Sequence, residues 1–293
     1  MVGRLEFKYV AYLGYSSSPC LLAGHRAADT VSSMSFANQV AIITGASSGI
    51  GWQLAKTLAG QQCAVGVVAR RRDRLEALVQ EIQSTGGKAA CAVADVADRP
   101  QTVSAIHALR HQLGPVDLLI ANSGVGVPTT LEPLNIDEVE QMFKVNTLGV
   151  VYAIEAVLPE MLRRGKGHLA AVSSLASYLG IPGESGYCSS KAAVNVYMEG
   201  LRLHLRRRGI AVTTICPGFI DTPMTAVNTF KMPFLLNADR AAQLIVRALS
   251  RKKKVYNFPW QTTLLMKLAC WLPDWMLERV FAGKTGDRPK PSL

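Results

Sequence analysis

The amino-acid sequence predicts a single α/β domain built on a doubly wound parallel sheet of about seven strands, flanked by helices and followed by a C-terminal helical extension. Three observations carry this reading. The strand-like segments are short, continuous apolar runs; helical stretches alternate with them throughout; and neither an internal repeat nor a linker interrupts 35–258. Continuous apolar strands belong to sheets covered on both faces. Right-handed crossovers then place a ligand crevice at the carboxyl ends of the strands.

The elements follow in order. Val40–Thr44 is a β-branched apolar run, then glycine-rich punctuation leads into a helix over Gly49–Ala59. Ala64–Ala69 is the second strand, and a charged helix runs over 73–85. The third strand covers 89–94, with a helix over 100–112, and the fourth covers 116–121. Two helical stretches come next, Ile136–Phe143 and 148–164, and then a fifth strand over 168–172. A long helix over 187–207 precedes the sixth strand, 211–216; a helix over 239–250 precedes the last, 254–258.

The two ends differ from this core. Residues 1–33 combine Arg4, Glu6 and Lys8 with a mildly apolar run at 9–13, then Ser16-Ser17-Ser18-Pro19. A basic start and a short apolar run are compatible with a signal peptide. The serines and proline break that run, and the alternative is that the fold begins near Met34, after a poorly ordered extension over 1–33. Beyond Phe258, residues 259–293 carry Trp260, Leu264, Leu265, Leu268, Trp271 and Trp275. Lys267 and Pro273 interrupt this tail, so it lacks the roughly 20 apolar residues of a membrane span. Preceded by Arg251-Lys252-Lys253-Lys254, it either lies on a membrane surface or closes over the core or a dimer face.

Composition narrows the classes further. Of 293 residues, 49% are hydrophobic and 18% charged, which suits a large core. The net charge of +11 favours anionic partners, although many soluble enzymes are basic. The basic residues are spread along helices with no recognition motif, so nucleic acid is not expected as a partner. The 6 cysteines form no C-x-x-C pair and no His cluster joins them, so neither a zinc site nor any other metal site is expected. Several lie in apolar runs, which implies a reduced, cytoplasmic setting.

Thr44-Gly45-Ala46-Ser47-Ser48-Gly49-Ile50-Gly51 joins the first strand to the first helix. Glycines there permit a tight turn and close approach of backbone to a pyrophosphate, and the helix amino terminus offers free N–H groups. In dinucleotide folds an acid at the end of the second strand binds the ribose 2′-hydroxyl. Here Ala69 is followed by Arg70-Arg71-Arg72 instead. Guanidinium groups grip a 2′-phosphate, so NADP(H) is favoured over NAD(H); the alternative is a solvated basic turn with Asp73 as helix cap.

Tyr187-Cys188-Ser189-Ser190-Lys191 is a Y-x-x-x-K that opens a predicted helix, where residues four apart share a face. Ser174 lies upstream at the end of the fifth strand, Asn146 sits in Lys144-Val145-Asn146-Thr147, and Pro217-Gly218 follows the sixth strand with Thr222 beyond. With the T-G-x-x-x-G-x-G spacing of Gly45, Gly49 and Gly51, this set resembles the classical short-chain dehydrogenase/reductase family over roughly 38–258. The order Asn, Ser, Tyr, Lys and the Pro-Gly are those of the family. Ala121-Asn122-Ser123-Gly124 departs from its N-A-G form by carrying Ser123.

The resemblance implies a Rossmann-type fold and hydride transfer between a nicotinamide and a carbonyl/alcohol pair. Asn146, Ser174, Tyr187 and Lys191 take the catalytic positions. Asp95 and Val96 fall where the family contacts adenine, and Asn122 either braces the sheet or touches cofactor. Gly45, Ser47, Ser48, Gly49, Ile50, Gly51, Arg70, Arg71, Gly124, Pro217, Gly218 and Thr222 complete the cofactor set. Tyr187 and Lys191 also belong to the cofactor set, Lys191 through the nicotinamide ribose hydroxyls. Tyr187 serves as acid in reduction, its pKa expected to fall under the Lys191 ammonium and an oxidised nicotinamide together; Ser174 hydrogen-bonds the substrate oxygen; Asn146 anchors a water. Phe219, Met224, Val227, Phe230, Met232, Phe234 and Leu235 predict an apolar lid and a lipophilic ketone or aldehyde. A homo-oligomer, dimer or tetramer, is expected. The rival readings are a non-catalytic dinucleotide-binding sensor or scaffold and a membrane-associated lipid-pathway reductase.

Overall fold

The computed structural model describes residues 36–228 and 231–281. The order of elements is β1 (Val40–Thr44), α1 (Gly49–Ala59), β2 (Ala64–Ala69), α2 (Arg72–Ser84), β3 (Ala89–Val93), α3 (Arg99–Leu113) and β4 (Leu118–Ala121). Then come α4 (Ile136–Phe143), α5 (Gly149–Arg164), β5 (Gly167–Val172), α6 (Ser185–Leu205) and β6 (Ile210–Pro217). The last elements among the described residues are β7 (Ile220–Asp221), β8 (Leu236–Asn237), α7 (Ala238–Ser250), β9 (Val255–Phe258), α8 (Trp260–Ala269) and α9 (Asp274–Phe281). The expectation of disorder over 1–33 lies outside the described residues, as does Phe230 of the expected lid.

Seven strands form one sheet in the order β3-β2-β1-β4-β5-β6-β9, and every pairing is parallel. The order reverses between β1 and β4, which opens the crevice at their carboxyl ends. Both faces are buried, as the apolar runs predict. Ala41, Ile43, Val65 and Val67 join the core under α1, α2 and α7, whereas Ile42, Val68, Leu119 and Ala171 join the core under α3, α5 and α6. This is strand alternation with apolar residues on both sides.

Three differences from the sequence reading have physical causes. α2 starts at Arg72 with Arg71 as N-cap, so Asp73 sits inside the first turn instead of capping it. α6 starts at Ser185, which puts Tyr187 within its first turn. The two stretches expected around 136–164 are one continuous helix, because Lys144–Leu148 forms a π turn in which the Gly149 N–H reaches back to the Lys144 carbonyl. Such a turn absorbs one extra residue without ending the helix. At the other end, Pro273 separates α8 from α9.

Candidate active site

A cleft of about 400 Å³ lies at the carboxyl ends of the strands. Its floor at one end is the glycine loop. Gly45 has φ 68°, and a Cβ there would fall 2.7 Å from the Ser123 Cα. A Cβ on Gly51 would meet the Asn122 amide nitrogen at 2.6 Å and the Gly45 carbonyl closer still. The loop therefore closes against the β4 end only with glycine at these positions. Asn122 completes the closure by donating from Nδ2 to the Thr44 and Gly45 carbonyls, at 3.0 and 3.3 Å. Its amide thus braces the loop while its edge lines the cleft. Ser48, the N-cap of α1, makes no side-chain cap, so the first-turn N–H groups stay available to an anion.

The basic turn after β2 faces the same end. The Arg71 guanidinium donates to the Ser47 hydroxyl from Nη2 at 2.8 Å and to the Ser48 hydroxyl at 2.9 Å. Arg70 Nη1 stands 3.8 Å from the Asp95 carboxylate and is well exposed. Asp95 accepts from the Ala97 N–H at 3.0 Å, which fixes the turn carrying Val96. Ser47, Ser48, Ile50, Arg70, Arg71, Asp95, Val96 and Gly124 all line the cleft; Gly49 and Gly51 shape the loop from behind.

At the other end the cleft is lined by Ser174, Tyr187 and Lys191. β5 delivers Ser174 at its end, where the side chain caps a short 3-10 turn, Leu175–Tyr178, by accepting from the Ala176 N–H at 3.1 Å. Cap and site roles coexist in this residue: Oγ accepts from the turn, and its hydroxyl proton is left to be donated on the cleft side, where Tyr187 stands. Lys191 is 3% exposed, and its Nζ donates to the Val172 carbonyl at 3.0 Å and lies 6.0 Å from the Tyr187 ring centroid. Burial pulls the lysine down to about 8, so it still carries its charge at neutral pH.

Tyr187 in the protein alone is governed by burial. Burial pushes its pKa up to about 12, and the hydrogen bond with Ser174 opposes that shift without reversing it. In the protein alone desolvation dominates, and the phenol is held protonated. Asn146 lies behind these groups. It is fully buried in the π turn and stands outside the cleft lining. Its Oδ1 accepts from the Val125 N–H at 2.8 Å, and its Nδ2 donates to the Val125 carbonyl and to the Ser190 hydroxyl, both at 2.9 Å. Ser190 in turn donates to the Tyr187 carbonyl at 2.8 Å. Both amide protons are committed, so the side chain ties the strand-end loop to the first turn of α6 and does not hold a water through its N–H groups.

Pro217, Gly218 and Thr222 line the remaining wall. The Gly218 N–H donates to the Phe258 carbonyl at 2.7 Å, and the Thr222 N–H to the Thr225 hydroxyl at 3.1 Å. Of the expected lid residues that are described, only Met224 reaches the cleft; Val227, Phe234 and Leu235 are exposed. Sequence reasoning missed Val125, Ser173 and Thr225 as lining residues. They are small or unremarkable types whose placement follows from strand ends meeting, a tertiary event with no local signature.

Residues 39–232 match the family model described as short chain dehydrogenase. The chain belongs to the short-chain dehydrogenase/reductase family. It is 39% identical over 236 residues to an uncharacterized oxidoreductase of Myxococcus xanthus, covering 80% of this chain and 93% of that one. Its fold is similar to an actinorhodin polyketide ketoreductase variant solved with NADPH, with TM-score 0.69 and 26% identity over 75% of this chain and 95% of the other. A gluconate 5-dehydrogenase from Burkholderia cenocepacia, solved with NADP and tartrate, matches with TM-score 0.70 and 26% identity over 77% and 95%. The family member described here is thus an oxidoreductase of the alcohol/carbonyl couple.

Proposed function

We propose that the protein is an NADP(H)-preferring reductase of lipophilic ketones or aldehydes, with Tyr187 as general acid. The observation that carries this reading is the convergence of Ser174, Tyr187 and Lys191 on one end of a cleft whose other end holds Arg70 and Arg71. When bound, the reduced nicotinamide supplies the hydride to the carbonyl carbon. The Tyr187 hydroxyl delivers a proton to the substrate oxygen, and the Ser174 hydroxyl donates a hydrogen bond to that same oxygen. In the reverse direction Tyr187 takes the proton back. The Lys191 ammonium, oriented by the Val172 carbonyl, favours the phenolate that proton release leaves behind. Asn146 acts as a positioning residue through Ser190.

Turnover of NADPH with a panel of hydrophobic ketones tests the mechanism. Tyr187→Phe should retain NADPH affinity and lose about 10³-fold in kcat. Equal turnover in both proteins would overturn the assignment. The cofactor preference rests on the guanidinium pair. Arg70→Asp with Arg71→Asp should weaken NADPH binding on the order of a hundredfold while NADH changes little, because charge-assisted bonds to a 2′-phosphate are lost. An unchanged ratio of the two affinities would sink the preference.

The half-exposed apolar residues Leu148 and Leu162 on the α5 side, with Val196 and Leu203 on α6, support self-association through these helices. Val196→Glu with Leu203→Glu should shift the chain to monomer in sedimentation velocity. Among the described residues Cys63, Cys91, Cys188, Cys216 and Cys270 are free thiols, which fits a reducing, cytoplasmic setting.

A further inference from the structure

We propose that the outer face of α8 and α9 docks on an anionic phospholipid bilayer, and that this sets the mouth of the cleft against the lipid from which the substrate enters. The docking stands on the surface itself. The entry route rests on the reductase reading given above.

An ordinary surface helix turns its apolar stripe to the core. α8 does the reverse. Trp260, Leu264 and Leu268 recur every four residues and are 71%, 50% and 56% exposed. Trp271 and Trp275 continue the apolar surface towards α9, and no residue of either helix is buried. Thr262 and Cys270 are among the less exposed groups on the other side. The Cys270 thiol donates to the Tyr178 carbonyl at 3.3 Å, and the Thr262 methyl lies 3.4 Å from where a Gly218 Cβ would stand. Tyr178 belongs to the 3-10 turn that Ser174 caps, and Gly218 lines the cleft. The exposed stripe therefore backs directly onto the substrate end of the site. Other exposed apolar groups follow Gly218 in the chain, Met224 and Phe234 among them.

The chemistry of the face selects its occupant. Lys267 lies seven residues from Trp260, on the same side of α8, and is exposed. Pairing this stripe with the same stripe of a second copy would draw two ammonium groups into an apolar seam. At a bilayer the lysine instead snorkels to the headgroups while its neighbours enter the acyl boundary. The Arg279 guanidinium stacks over the Trp275 ring at 5.7 Å, a pair suited to the interfacial zone where tryptophan concentrates. Charge complementarity points to anionic lipid: the chain carries +11, and the exposed run Arg251 to Lys254 leads into β9 and α8. The contact is peripheral. The long apolar helix Ile136–Arg164 is half buried inside the protein and packs as a core helix.

Co-sedimentation of the full chain with vesicles tests docking without requiring turnover, so it can fail or succeed independently of the reductase reading. The vesicles are phosphatidylcholine alone or with one-third phosphatidylglycerol. Wild type should partition at least about tenfold more strongly onto the anionic vesicles. Leu264→Ser with Leu268→Ser should lower that partition about a hundredfold, with NADPH affinity unchanged as proof of folding. Tryptophan emission should shift to the blue on binding in wild type only. Wild type remaining in the supernatant with anionic vesicles overturns the proposal. So does a variant that binds as well as wild type, or a dimer in sedimentation velocity that the two serines dissociate. For the entry route, the same variant should lose at least about tenfold in kcat/KM for a long-chain ketone dissolved in the vesicles, and nothing for a small water-soluble ketone. Equal loss on both ketones, or none, overturns the route while leaving the docking result in place.

Discussion

The first helix of the domain and the first helix of the extension carry similar apolar content in opposite directions. In α1, Leu54 and Leu58 are fully buried and pack into the core beneath β1 and β2. In α8, Leu264 and Leu268 stand half out of the protein. Propensity does not separate the two helices; the difference lies in what each must hold. α1 offers its amino terminus to the cleft, and any slack in its seating would move the N–H groups that meet an anion. α8 is held by a few small contacts at the mouth of the cleft, and its apolar side is left for something outside the molecule. Burial is concentrated beneath the glycine loop, and spare apolar surface on the extension beside the cleft.

That contrast can be broken by experiment. The largest effect is expected from Leu54→Ala, which should destabilise the protein by about 2–5 kcal/mol in denaturant titration because it opens a cavity in a packed core. A value below about 1 kcal/mol would mean that α1 is not seated as firmly as its burial implies. The domain's second vulnerability is acid. His168 is buried at the start of β5 beside the Thr213 hydroxyl, 2.8 Å away, and burial first, then the Lys252 charge, hold its pKa down to about 4. Below its ordinary value near 6.5 the unfolded chain takes up a proton that the folded one refuses until about 4. Stability should therefore fall as pH drops through that window, by roughly 3 kcal/mol in all. His168→Gln should flatten the dependence, and an unchanged slope would assign the acid sensitivity elsewhere.

Gly51→Ala comes next. Its Cβ would stand 2.6 Å from the Asn122 amide, and the loop should lose about 1–3 kcal/mol with a parallel loss of cofactor affinity. The smallest effect is the most telling. Leu264→Ala should change stability by no more than about 0.5 kcal/mol in the absence of lipid. A cost approaching that of Leu54→Ala would show that α8 is part of the core after all.

Much of this was legible in the sequence, and for identifiable reasons. β1, β2 and the glycine loop are defined by neighbours in the chain: a β-branched run, a turn that only glycine permits, a helix start. Ser174, Tyr187 and Lys191 could be read because each sits at the end or start of an element that the alternation predicts. Asn146 was found by its place in the order of motifs, but its side-chain partners Val125 and Ser190 were not legible, because they lie across the fold. The upward shift of Tyr187 in the protein alone was not legible for a related reason. A motif shows that a lysine is near, but not how much water the surrounding protein removes. The lid shows the same limit: apolar composition was visible, yet which side chains face inward depends on how β7 and β8 pair.

The π turn at Lys144–Leu148 sets the phase of a helix as well as the place of Asn146. One added residue within a turn rotates everything on one side by about 100° relative to the other. The face that α5 turns to the sheet and the face that α4 turns to α6 are therefore keyed to each other by a single insertion. Deleting one residue from 144–148 would restore a regular helix and swing one of the two faces out of register, carrying Asn146 away from the loop it ties down. Length within this segment is thus under tighter restraint than residue type, and tolerance to deletion here measures how far the site depends on helical phase.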